Sequence, residues 1–221
     1  EAANFSIRIA EIRTLSEGNA VSSRTWATEL RNVSDSFGID LIDTAAGAYD
    51  ILSNQVAKGT NAIAFLNESA AFAKVTVSSL ADASNLLASA VNAYKDQSLT
   101  ATRAAEVLFT TIDLGRVRVE EIADTFGNVL PLGSQLGISF EEINAAFATL
   151  TIQGIRADTS MTLMNNIMLK LLRPTKEMQG LLQEWGVSTG QAAIATFGFT
   201  GVMQKLIAEF ESGGIERIGD I

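Results

Sequence analysis

The sequence predicts an all-α fold, a packed set of short to medium helices with no sustained coiled coil and no sizeable sheet. Three observations predict it. The chain has 2 prolines in 221 residues, where ordinary usage of ~5% would give about eleven, so little in it blocks a helix. Ser, Thr and Asp residues stand just ahead of runs in which apolar side chains recur at helical spacing, which is how helix starts are written. Glycines then close those runs after about three turns, an ordinary helix length and too short for the three or four heptads of a coiled coil.

Taken in order, helices are expected at 4–17, 23–37, 40–56, 61–74, 79–96, 101–114, 119–129, 140–153, 159–172, 175–185 and 201–210. The helix from 40 opens on Asp40 and Asp43, two carboxylates over the exposed amides of a first turn. The loop Gly127-Asn128-Val129-Leu130-Pro131-Leu132-Gly133 has glycines but lacks the lysine and hydroxyl of a phosphate cradle, and no strand precedes it. It is expected as a kinked interhelical turn. Ser139 with Glu142 three residues on reads as a capping box, hydroxyl and carboxylate each satisfying an orphan amide. Phe140, Ile143, Phe147 and Leu150 follow at helical spacing as a buried face, and Gly154 stops the run.

On the next helix Met161, Met164 and Met168 line one side, with Leu171 beyond them. Methionine adapts to partner grooves, but here it is expected as core filling. Pro174 sits where a first helical turn tolerates proline. Trp26 and Trp185 are expected to anchor helix packing. Ser188 with Gln191 repeats the capping box. Alternations at 116–119 and 195–200 are too short to carry a sheet. Val119-Glu120-Glu121-Ile122 returns as Phe140-Glu141-Glu142-Ile143, a shift of twenty-one positions. Shared capping chemistry explains that echo better than duplicated repeats, because acidic first turns are common.

Composition narrows the chemistry. Hydrophobic residues make up 47% and charged residues 19%, below the ~25% of ordinary chains, so the protein can bury a real core and still leave apolar surface for a partner. Net charge is −9, which disfavours specific nucleic-acid binding. Without histidine or cysteine there are no disulfides, no thiol nucleophiles, few transition-metal ligands and not the commonest general base. The pairs Glu120-Glu121 and Glu141-Glu142 sit in first turns and are expected to serve the helix rather than catalysis. Lys170, Arg173 and Lys176 lie around a helix C-terminus, where cations belong. No catalytic, cofactor or metal residue is expected. The uncharged stretch 186–204 is long enough for a membrane span, but four glycines and several hydroxyls argue against one. The charged start, without methionine, reads as part of a longer chain without a secretory signal. The divisions expected are 1–98, 99–187 and 188–221, or one domain throughout.

A further order runs through 108–187. Leu114-Gly115 ends a helix, Val119-Glu120-Glu121-Ile122-Ala123 opens the next, and Gly137-Ile138-Ser139-Phe140-Glu141-Glu142 opens another. Leu150 and Gly154-Ile155 close it. Ser160-Met161-Thr162-Leu163 leads a helix on to Leu171, and Pro174-Thr175-Lys176-Glu177, Leu182 and Gly186-Val187 follow. In order and spacing the chain resembles the core region of phage tail tape-measure proteins, with Ser160-Met161 standing where that family has Ala-Gly. Phe37-Gly38-Ile39-Asp40 and the helix after it resemble the earlier part of the same core more loosely. The resemblance implies a structural protein of the virion tail, made in the host cytoplasm, whose length sets tail length and which leaves ahead of the genome. It also implies contacts with other copies of itself, as a trimer or other symmetric oligomer, and with tail-tip, baseplate-hub or tail-tube proteins. The rival reading is a helical protein-binding module of a bacterial surface or signalling protein, and flanking sequence separates the two.

Overall fold

The computed structural model describes residues 2–15 and 21–211. Among these, eleven α-helices and one short 3-10 turn account for the regular structure: α1 Ala2–Leu15, α2 Ser23–Phe37, α3 Leu41–Ser53, α4 Thr60–Thr76, α5 Leu80–Ala93, the turn Lys95–Gln97, α6 Ala101–Gly115, α7 Val119–Leu136, α8 Phe140–Ile152, α9 Ala157–Leu172, α10 Lys176–Glu184 and α11 Gly190–Glu211. The all-α expectation holds. The end of the helix expected at 4–17 lies outside the described residues.

One connector recurs. A residue in the left-handed region ends the helix, an apolar or small residue follows, and the next helix starts at once, with a side-chain cap in three of the four cases; Arg156 ahead of α9 supplies none. Gly38, Val77, Gly137 and Gly154 take the left-handed position. The amides of Ile39, Ser78, Ile138 and Ile155 reach back to the carbonyls of Ser34, Ala73, Gly133 and Leu150, the Schellman closure of a helix end. Asp40 then accepts from Ile42 N at 2.7 Å, Ser79 from Asp82 N at 3.0 Å and Ser139 from Glu142 N at 3.1 Å. Capping of this kind contributes about 1 kcal/mol per helix. Val77 is the misfit: its φ is 54°, a strained backbone for a β-branched residue, and its side chain is 89% exposed. Val77→Asn should raise stability by about 1 kcal/mol, read as a higher urea midpoint, because asparagine tolerates this conformation.

The chain divides into two compact units. The first comprises residues 1–112 and 118–124, the second 113–117 and 125–221. In the first, α3 packs against α1, α2, α4 and α5. It can do so because most of its buried face is small: Thr44, Ala45, Gly47 and Ala48 lie beside Ile51 and Leu52. A Cβ on Gly47 would stand 3.0 Å from Leu80 Cδ2. Trp26, Leu30 and Val33 of α2 and Phe65, Leu66 and Phe72 of α4 supply bulk. Burial pushes the Asp50 carboxyl above its ordinary value of 3.8, against the pull of Arg8. Its contribution to stability is therefore full below that value and is lost as pH rises through the raised one.

Small polar residues also lie in this core. Ser69 and Ser84 are fully or almost fully buried, and their hydroxyls have no hydrogen-bond partner. A desolvated, unpaired hydroxyl is a net cost, so Ser84→Ala should stabilise the protein by about 1 kcal/mol in chemical denaturation.

In the second unit α8 packs on α9, and α11 packs on both. Phe126 and Phe147 meet edge to face, with ring centroids 5.4 Å apart. Met161, Met164 and Met168 are buried with Leu171, so this side of α9 faces the core.

Several expectations need correction. The segment 127–133 is not a turn: α7 runs through Pro131 to Leu136. Proline in a helix interior costs ~3 kcal/mol, but Ile122, Phe126, Val129, Leu130 and Leu136 are all buried on that helix. Holding this continuous apolar stripe outweighs the lost hydrogen bond. The last helix begins at Gly190, not near 201, and includes the alternation at 195–200. Its cap is Thr189, which accepts from Ala192 N at 3.1 Å, in place of Ser188. Pro174 lies ahead of the helix, where Thr175 is the cap. Leu150 and Trp185 are only half-buried.

Candidate interaction surface

Among the described residues no group of His, Cys, Asp or Glu is placed to hold a metal ion. No described helix is long and apolar enough to cross a membrane, the stretch at 186–204 included. One carboxylate of each acidic pair accepts from a backbone amide. Glu121 Oε2 accepts from Arg118 N at 2.8 Å, closing the first turn of α7 from inside. Glu142 occupies the matching register on α8, but its carboxylate does not return to Ser139. It accepts from Phe199 N instead. Only half of the expected capping box therefore forms.

Among the described residues, one feature with the chemistry of a binding site is a groove of about 290 Å³ in the first unit, lined by Glu68, Ala71, Phe72, Val75, Glu106 and Phe109 among others. The helical period of α4 sets Phe72 into the core and Val75 toward solvent. Phe109 of α6 stands beside the groove 46% exposed, and Val75 is 59% exposed. Apolar walls with two carboxylates at the rim suit an aliphatic or aromatic side chain carried on a partner, flanked by cations. Glu106 already holds a surface pair with Arg103 at 3.2 Å, a contact of small energy that a partner can displace.

The residues singled out in the sequence are spread differently. Phe140, Ile143, Phe147, Met164, Met168 and Leu171 are interior, Gly154 ends α8 with φ 89°, and none of them lines the groove. Periodicity finds the face of a helix that is apolar. It does not say which part of that face another helix covers, so Val75 and Phe109 carried no signal of their own.

Among the described residues, short capped helices, small-residue interfaces and an apolar groove make up a helical scaffold. The chain belongs to the phage-related minor tail protein family, whose match covers residues 26–214. A structural role in a phage tail follows from that membership. Over 116 residues the chain is 26% identical to the tape measure protein of Pneumococcus phage Dp-1, covering 52% of this chain and 10% of that one. No solved structure matches.

Proposed function

We propose that the chain is a folded helical segment of a tail tape-measure protein, contributing to tail length and assembly and leaving the tube ahead of the genome. The similarity to a tape measure protein over 116 residues carries this reading. The low charge content and absent histidine and cysteine agree with a segment that works by contact. In-frame excision of the segment from the full-length gene tests it, with tail lengths measured by electron microscopy. At ~1.5 Å per helical residue, 221 residues correspond to about 330 Å if they lie extended, and less if they stay folded. Shortened or unassembled tails are expected; particles with tails of unchanged length contradict a length-setting role.

The partner at the groove beside Phe109 is proposed to be a second copy of the chain. The rim carboxylates of Glu68 and Glu106 call for cations, and each copy offers Lys170, Arg173 and Lys176 around the end of α9. Sedimentation of the 221-residue chain should show a concentration-dependent oligomer, and Phe109→Glu should weaken its association at least tenfold while leaving helicity intact. A wild-type monomer at all concentrations contradicts the assignment.

A further inference from the structure

α11 is two helical segments run together across a kink. Gly198 has φ 69° and ψ 168°, a conformation open essentially to glycine alone. A break of this kind leaves the amides of the next turn without partners from the turn before. They are taken up from elsewhere in the second unit. Phe199 N donates to Glu142 Oε1 of α8 at 2.5 Å, and Thr200 N lies 3.4 Å from the same oxygen. A Cβ on residue 198 would stand 2.8 Å from that oxygen, so glycine is required both for the backbone angle and for the carboxylate's approach.

A second tie spans the same break. The Lys205 ammonium lies 4.5 Å from the ring centre of Phe197 and 5.5 Å from that of Trp185, a cation held against two aromatic faces. In an unbroken helix, residues 197 and 205 are ~12 Å apart along the axis, and both side chains lean the same way, toward the N-terminus. A lysine cannot then lay its ammonium on a ring eight residues back. The bend brings the two together, so both ties belong to the bent form alone. Phe199 and Val202 are fully buried at the start of the distal half, and beyond them Ile207 is 53% exposed. No proline interrupts 190–211.

We propose that Gly198 is a latched hinge: the Glu142 carboxylate and the Lys205 ammonium hold α11 bent, and loss of either lets 199–211 swing out and join 190–197 as one straight helical arm. The echo between the two acidic helix starts now has a functional side. Glu121 closes its own helix, whereas Glu142, in the same register, is spent on the hinge. The hinge does not depend on the tail assignment.

The chain has no cysteine, so spin labels can be placed uniquely at exposed Gln191 and Ala208 in the full 221-residue protein. A straight helix sets those positions about 25 Å apart. In the otherwise unaltered protein, pulsed electron resonance should give one shorter distance. Glu142→Ala and Lys205→Met should each add a population at the straight-helix distance, with far-UV circular dichroism still helical. If Glu142→Ala does not fold, Lys205→Met decides alone. The short distance persisting unchanged in every variant that folds overturns the proposal, as does a straight-helix distance before any latch residue is altered.

Discussion

Replacing Phe147 by alanine should cost the second unit about 3 to 5 kcal/mol. The side chain is fully buried and meets the edge of Phe126 at 5.4 Å. Its removal forfeits the transfer free energy of the ring and leaves a cavity that the surrounding helices, pinned by short connectors, close only in part. The pair also carries a directional component of about 0.5 to 1.5 kcal/mol beyond its buried area. Phe126→Ala should therefore cost nearly as much, and the double variant less than the sum of the two. Urea unfolding followed by circular dichroism measures all three, and fully additive losses would deny the edge-to-face contact.

Gly190→Ala should destabilise by about 1 to 3 kcal/mol or more, although glycine to alanine in a helix ordinarily gains up to ~1 kcal/mol. The reversal comes from the neighbour. A Cβ at position 190 would overlap the Leu171 carbonyl oxygen and stand 2.7 Å from its carbon. Backbone cannot rotate away as a side chain can, so α11 must lift off the end of α9. Gly180 in α10 is the internal control: an added Cβ there meets nothing within 4 Å. Gly180→Ala should show the ordinary gain. Equal effects of the two substitutions in thermal unfolding would contradict the close approach of α9 and α11.

These two glycines show where the sequence is legible and where it is not. Gly137, Gly154 and Gly38 could be recognised because each is followed by an apolar residue and a capping position, a local pattern with a local cause. Asp40 and Ser139 were readable as caps for the same reason. Gly190 and Gly115 are needed for what packs against them: a Cβ on Gly115 would stand 2.7 Å from Thr151 Oγ1, and nothing near it in sequence announces Thr151. Left-handed ends at Val77 and Ser98 carry no glycine to mark them, and at Arg116 the glycine stands one residue early. Pro131 misled in the other direction, because the rule that proline stops a helix yielded to the apolar stripe on either side of it. Glu142 had the sequence of a local cap and took a partner 57 residues away. The groove was the least legible feature, since Phe109 and Phe147 look alike until the neighbouring helices are in place.

A tape-measure segment is a built-in part of its tail. Peptide mass spectrometry of purified tails tests that most directly. The tryptic stretch 75–95, free of internal lysine and arginine, provides a unique reporter. A built-in segment is recovered at a fixed ratio to tail-tube peptides through successive purification steps. Its loss from tails, with recovery only in the soluble lysate, would contradict that role.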